Sequence, residues 1–269
     1  EIRLSLVGSE MCIRDRYTHS QIGELMSNYG TIDILWLDGG WVSPRNNQDI
    51  DMPQIAAMAR AKQPGLLVVD RTIHGKYENY QTPEQKIPEH QLPYPWESCV
   101  TLTTDWGWVK NPVYKTPNRI ISILMEVVAK GGNLLLGVGP TAEGLIEQPT
   151  VKRLQEIGRW MQKNGKAIFH TRITPNYHCG NVWFTADKNG RTLYALYALP
   201  EGETLPAVIE WEGNVPERGT SVRLLSTGQR MKWIERDGKV AVALPAKLAG
   251  STEPIALQFD TPLPKQNKK

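Results

Sequence analysis

The feature that most constrains the fold is a series of short, almost wholly apolar runs, each followed by a loop and then by a stretch with helical periodicity. Thr31 to Asp38 reads Thr-Ile-Asp-Ile-Leu-Trp-Leu-Asp and breaks at Gly39-Gly40; Leu66 to Val69, Trp96 to Thr103 and Asn133 to Val138 repeat the pattern. Around them lie amphipathic stretches. Ile22, Leu25, Met26 and Tyr29 share a face of a helix read from Tyr17 with Ser20 as cap, and Ile55, Met58 and Ala59 follow Pro53 in register. Ile120, Ile121, Leu124, Val127 and Val128 follow Thr116-Pro117, and Leu154, Ile157, Trp160 and Met161 point inward from a helix over Thr150 to Asn164. Strands that are apolar along their length are buried on both faces. The order therefore predicts a parallel sheet covered by helices, either an open doubly wound sheet or a (β/α)8 barrel. At about 30 residues per unit, residues 17–169 have room for roughly five βα units, which suits a small open sheet or part of a barrel.

Beyond Phe169 the pattern changes to short alternating runs, Val182 to Ala186, Thr192 to Leu199, Ala207 to Trp211, Ser221 to Leu225, Met231 to Glu235, Lys239 to Leu244 and Ile255 to Phe259. Asn189-Gly190 and Asp237-Gly238 supply hairpin turns, so this part reads as an antiparallel β-sandwich domain. The expected organisation is 17–169 as the α/β part, 170–264 as the β domain and 265–269 as a frayed tail. Residues 1–16 stand apart as non-native, because Ser5 to Arg16 is similar to a translated sequencing adaptor. On that reading the natural chain is longer, and its true N-terminus, with any signal peptide, precedes Tyr17.

Charge and composition exclude several functions. Lys and Arg number 31 against 28 Asp and Glu, scattered along the chain, which suits neither a nucleic-acid groove nor a membrane surface. A neutral substrate fits better, and nine Trp and nine Tyr against three Phe would suit a wet pocket where flat sugar faces stack. Cys12, Cys99 and Cys179 are too few and too scattered for a disulfide framework, and His170, His178 and Cys179 lack a third ligand at metal-site spacing. No metal or organic cofactor is expected, and no run is long and apolar enough for a membrane helix.

Three apolar runs end in or abut ionisable residues: Asp38 after Trp36-Leu37, Arg71 after Asp70, and Glu97 beside Trp96. In parallel α/β folds the carboxyl ends of the strands form the active face, so Asp38 and Arg71 are expected to converge there. Two carboxylates with a guanidinium make a workable hydrolase site, and Gly39 and Gly40 leave room beside Asp38. A phosphate-loop reading of Gly137 to Gly144 fails, because the spacing is wrong and Pro140 lacks an N–H. The remaining rivals are a catalytically silent carbohydrate-binding protein using Trp183, Trp211 or Trp233, and another retaining glycosidase.

Four motifs in order give a specific resemblance. Asn28 to Trp41 is similar to the nucleophile strand of glycoside hydrolase family 29 α-L-fucosidases, and Asp70-Arg71 to their substrate-binding arginine step. Trp96-Glu97-Ser98-Cys99 matches their Trp-Glu-x-Cys signature, and Gly131 to Pro140 a later motif, with Gly137 where family members often carry Asn. The resemblance implies the later part of a (β/α)8 barrel followed by a β-sandwich, and a retaining exo-α-L-fucosidase acting on fucosylated glycans or glycoconjugates. It implies Asp38 as nucleophile, Glu97 as acid/base with Glu84 as the alternative, and Trp36, Arg71 and Trp106 as substrate contacts. A secreted or periplasmic address is favoured by the same resemblance. The family's fucose-binding histidines would precede Tyr17, and a chain lacking those strands is expected to be unstable or inactive alone.

Overall fold

In a computed structural model, which describes residues 2–39, 42, 44–46, 48–71 and 75–262, the chain divides into two compact units. One comprises Glu1–Thr82 with Pro93–Glu97, the other Pro83–Leu92 with Ser98–Lys269. Gly40, Trp41, His74, the Cys12 side chain and the tail 265–269 lie outside the described residues.

The first unit holds α1 (Ile2–Asn28), β1 (Ile34–Leu37), α2 (Met52–Lys62) and β2 (Leu67–Asp70). β1 and β2 pair in parallel, with Ile34 opposite Leu67 and Leu37 opposite Asp70. Leu35 and Val68, directly opposite each other, turn one face of this pair into a core with Ile22 and Met26 of α1 and Ile55, Ala56 and Ala59 of α2. Asp51, in the left-handed region at φ 52°, caps α2 by accepting from the Gln54 N–H (3.2 Å), and Pro53 occupies its first turn. At the other end the Gln63 amide donates to the carbonyls of Met26 (2.8 Å) and Gly30 (3.0 Å), which α1 leaves without helical partners.

α1 differs from expectation. It does not begin near Tyr17 under a Ser20 cap but runs unbroken from Ile2, since no Gly or Pro interrupts residues 9–22. Arg14, inside the segment set apart above, donates to the Asp49 carbonyl (2.8 Å) and to the Gln48 side chain. The apolar stripe is also narrower than expected: Ile22 and Met26 are buried, whereas Leu25 and Tyr29 are exposed.

In the second unit β3 (Glu97–Thr101) neighbours β4 (Asn133–Gly137), with the unit boundary after Glu97. The described strands of the α/β part thus form two separate pairs, and a continuous five-unit barrel wall is not seen. Helices α3 (Pro117–Ala129) and α4 (Gln148–Asn164) flank β4 in sequence. α3 starts where the sequence marks it, with the Thr116 hydroxyl accepting from the Arg119 N–H (3.1 Å). Leu154, expected to face inward from α4, is exposed.

The remaining strands are β5 (His178–Cys179), β6 (Val182–Ala186), β7 (Thr192–Tyr197), β8 (Val208–Glu212), β9 (Val222–Leu224), β10 (Arg230–Arg236), β11 (Lys239–Ala243) and β12 (Ile255–Asp260). They form one antiparallel, barrel-like sheet of order β5-β6-β7-β12-β9-β10-β11-β8, which is compatible with the expected β-sandwich. The sheet curls until its two end strands meet: Cys179 Sγ on β5 accepts from the Glu212 N–H of β8 (3.3 Å), so a single sheet encloses its own core. Between β10 and β11, Asp237 and Gly238 both take positive φ (53° and 81°), as a two-residue hairpin turn requires.

Burial explains which strands alternate and which do not. β8 points Ile209 and Trp211 inward and Val208, Glu210 and Glu212 to solvent. β7 is buried on both faces, because Leu193 and Ala195 join the enclosed core while Tyr194 and Leu196 pack with α3 and α4 through Ile121, Met125 and Trp160. Trp160 Nε1 also donates to the Pro254 carbonyl (2.7 Å). These contacts place α3 and α4 in the same compact unit as the β strands, so the two units do not follow a division near residue 169.

Candidate active site

Parallel pairing sets the geometry around Asp38. With Leu37 opposite Asp70, the next residues along each strand, Asp38 and Arg71, emerge side by side at the carboxyl ends of β1 and β2. Arg71 Nη1 donates to Asp38 Oδ1 at 3.0 Å, and the guanidinium carbon lies 4.9 Å from the centre of the Trp36 ring. A planar guanidinium can stack on an indole and still direct an N–H at a carboxylate, which an ammonium does less well. The Arg71 side chain is 16% exposed and that of Asp38 67%, so the arginine is fixed and the carboxylate is open to a ligand. Asp38 Oδ1 also accepts from the Gly39 N–H (2.9 Å), and Gly39 at φ 128° adopts a backbone conformation that a side chain would strain.

Glu97 belongs to the same unit. Its N–H donates to the Gln81 carbonyl (2.8 Å), next to the Gln81–Trp96 bridge, and Trp96 is buried. Burial raises the Glu97 pKa above the ordinary carboxylate value, so the carboxyl holds its proton to higher pH, as a general acid needs. The sign for stability follows. Folding takes up a proton between the unfolded and the raised folded pKa, so stability falls as pH rises through that window. Glu97→Gln is therefore expected to be more stable than the parent at neutral pH, with the difference fading below the ordinary carboxylate range. Urea unfolding at a series of pH values checks this; a constant difference at every pH would remove burial as the cause.

Glu84 and Trp106 sit in the second unit. Glu84 bridges in parallel to Cys99 of β3, and its Oε1 accepts from Trp106 Nε1 at 3.1 Å. Trp106 is 47% exposed and lies on the loop after β3, which is pinned by the Thr103–Tyr114 bridge and by the Lys115 ammonium on the carbonyls of Thr101 (2.8 Å) and Thr103 (2.9 Å). The structure thus brings Asp38, Arg71 and Trp36 together in one unit, which also holds Glu97, and Glu84 with Trp106 in the other.

A family model described as alpha-L-fucosidase matches residues 9–166. The chain belongs to the alpha-L-fucosidase family. It is 30% identical to the plasma alpha-L-fucosidase of Homo sapiens over 251 residues, covering 85% of this chain and 51% of that protein. Among solved structures it resembles alpha-L-fucosidase isoenzyme 1 from Paenibacillus thiaminolyticus, with 28% identity, a TM-score of 0.78, and coverage of 91% of this chain and 62% of that one. The Thermotoga maritima alpha-fucosidase, solved in complex with fucose, gives 25% identity and a TM-score of 0.73 over 91% of this chain and 56% of its own. The chain spans about half the length of the curated relatives it matches.

Trp211 is buried at 1% exposure in the β core, so it is no sugar platform, and Trp183 is half-buried under His178, ring centres 3.8 Å apart. Among the described residues no three His, Cys, Asp or Glu gather as a metal site. Trp108, two residues from Trp106, is exposed to a similar degree, at 46%.

Proposed function

We propose that a protein of the family's length carrying this chain is a retaining exo-α-L-fucosidase that releases terminal α-L-fucosyl groups from glycans or glycoconjugates. The observation that carries the reading is the open Asp38 carboxylate held by a stacked, nearly buried Arg71 at the carboxyl ends of a parallel strand pair. Asp38 attacks the anomeric carbon and forms a covalent fucosyl-enzyme as the aglycone leaves. Water then opens this ester, giving net retention. Arg71 directs the carboxylate and binds sugar hydroxyls, and Trp36 and Trp106 contact the sugar. Glu97 protonates the departing oxygen and then deprotonates the water, a role its raised pKa supports, with Glu84 as the alternative.

The finer fold reading is the later part of a (β/α)8 barrel, supported by the parallel β1–β2 pairing and the strand–helix alternation. Ile34 and Leu67, side by side on one face of that pair, are exposed at 44% and 42%. An uncovered apolar sheet face of this kind supports the further reading that the chain alone is inactive. The test is release of 4-nitrophenol from its α-L-fucoside by this chain and by a version extended to the family's length. Hydrolysis by the extended protein alone supports both readings. No hydrolysis by either would discard the fucosidase assignment and favour a silent carbohydrate-binding protein.

A further inference from the structure

Two glycines at the end of β4 face the loop that carries Trp106 so closely that an added side chain would press on it. A Cβ on Gly137 would lie 3.2 Å from Cζ3 and 3.4 Å from Cε3 of the Trp106 ring. A Cβ on Gly139 would lie 2.6 Å from Gly107 C and from Trp108 N, and 2.8 Å from Gly107 O, a backbone clash that no rotamer change relieves. Neither glycine has a left-handed φ, so what each position excludes is volume, not conformation. The two contacts meet on one loop. Gly137 abuts Cζ3 and Cε3 of the indole, Gly139 abuts the Gly107–Trp108 peptide, and the indole N–H of Trp106 reaches Glu84 Oε1 at 3.1 Å.

We propose that Gly137 and Gly139 are positioning residues, which hold the Trp106 indole against the Glu84 carboxylate and leave the rest of the indole open as a platform. Close-packed atoms transmit a displacement directly, so a single methyl group on either glycine moves the ring or the loop by a few tenths of an ångström or more. At 3.1 Å the indole bond to Glu84 is near the long end of the usual N–H···O range, so such a shift carries it past that range. Glu84 and Trp106 are then a coupled pair whose geometry is set from β4, through residues that touch no substrate. The consequence for sugar binding rests on the fucosidase reading above, whereas the positioning itself does not.

The test reads the contact and not the activity. In this chain labelled with 15N-tryptophan, Trp106→Phe identifies the Trp106 indole cross-peak among those of its nine tryptophans. Gly137→Ala and Gly139→Ala are expected to displace that peak by more than a line width, with the Trp108 peak also moving in Gly139→Ala. Gly158→Ala, on α4 with nothing near its added methyl, is expected to leave it in place. Glu84→Gln should shift the Trp106 peak in the parent chain but add little in the Gly139→Ala background, the non-additivity of a broken contact. If Gly139→Ala loses peak dispersion as a whole, the milder Gly137→Ala carries the same comparison. A Trp106 peak unmoved by the glycine substitutions, with an equal Glu84→Gln shift in every background, would overturn the proposal. Absence of fucosidase activity in the extended protein would leave these shifts unchanged.

Discussion

Asp38→Ala, in the version of this protein extended to the family's length, is expected to lower the turnover of 4-nitrophenyl α-L-fucoside by roughly ten-thousand-fold or more while the protein stays folded. Loss of a group that forms the covalent intermediate removes a whole reaction route and not one contact, and single deletions of that kind in hydrolases cost about 10⁴ to 10⁶ in rate. The fold should tolerate the change, because the Asp38 side chain is 67% exposed and bonds to Arg71 and the adjacent Gly39 N–H at the surface. Azide can enter the space left by the carboxylate and attack the anomeric carbon directly. Recovery of turnover with azide, giving a fucosyl azide of inverted configuration, identifies Asp38 as the nucleophile. An Asp38→Ala protein that retained more than a tenth of parent activity would mean that another group attacks, and the role assigned to the Asp38–Arg71 pair would fall.

The second large effect concerns the β domain. Trp211→Ala is expected to destabilise the second unit by about 3–5 kcal/mol, because an indole removed from a closed core loses its transfer energy and leaves a cavity that its neighbours only partly fill. Trp211 is 1% exposed, stacks on Phe259 of β12 at 5.7 Å and meets the edge of Phe184 of β6 at 5.8 Å. It therefore joins strands that are far apart in the order of the sheet and holds the curled sheet on its own core. Its Nε1 donates to the Asn214 carbonyl (3.3 Å), so the alanine variant also strips a polar partner. Chemical denaturation followed by far-UV circular dichroism measures the loss. A cost below about 1 kcal/mol would show that the cavity collapses, and that the sheet does not depend on this cluster.

Much of the local structure was legible along the chain because its causes are local. Thr116-Pro117 announces the start of α3 through a hydroxyl cap and a preset φ, and Asp237-Gly238 the hairpin through two residues that tolerate positive φ. Six of the β-domain runs were placed from alternation alone to within two residues at either end, and Val182 to Ala186 matches β6 at both ends. The two-residue strand β5 was not, since His178-Cys179 is too short to show a period. The false start of α1 has a similar cause: Ser20 resembles a cap only if the chain upstream is not helical.

The sequence by itself determined the family, through four motifs whose order and chemistry are written in contiguous residues, and it named the candidate residues for the site. It also determined that Asp38 and Arg71 follow apolar strands, and parallel pairing in register then made them neighbours. Tertiary structure alone decided what depends on groups distant along the chain. It closed eight strands into one curled sheet, laid α3 and α4 on the back of β7, and pressed Gly137 and Gly139 against a loop some thirty residues earlier. Such contacts follow from excluded volume and the direction in which side chains are thrown by a complete backbone, and no run of neighbouring residues encodes either.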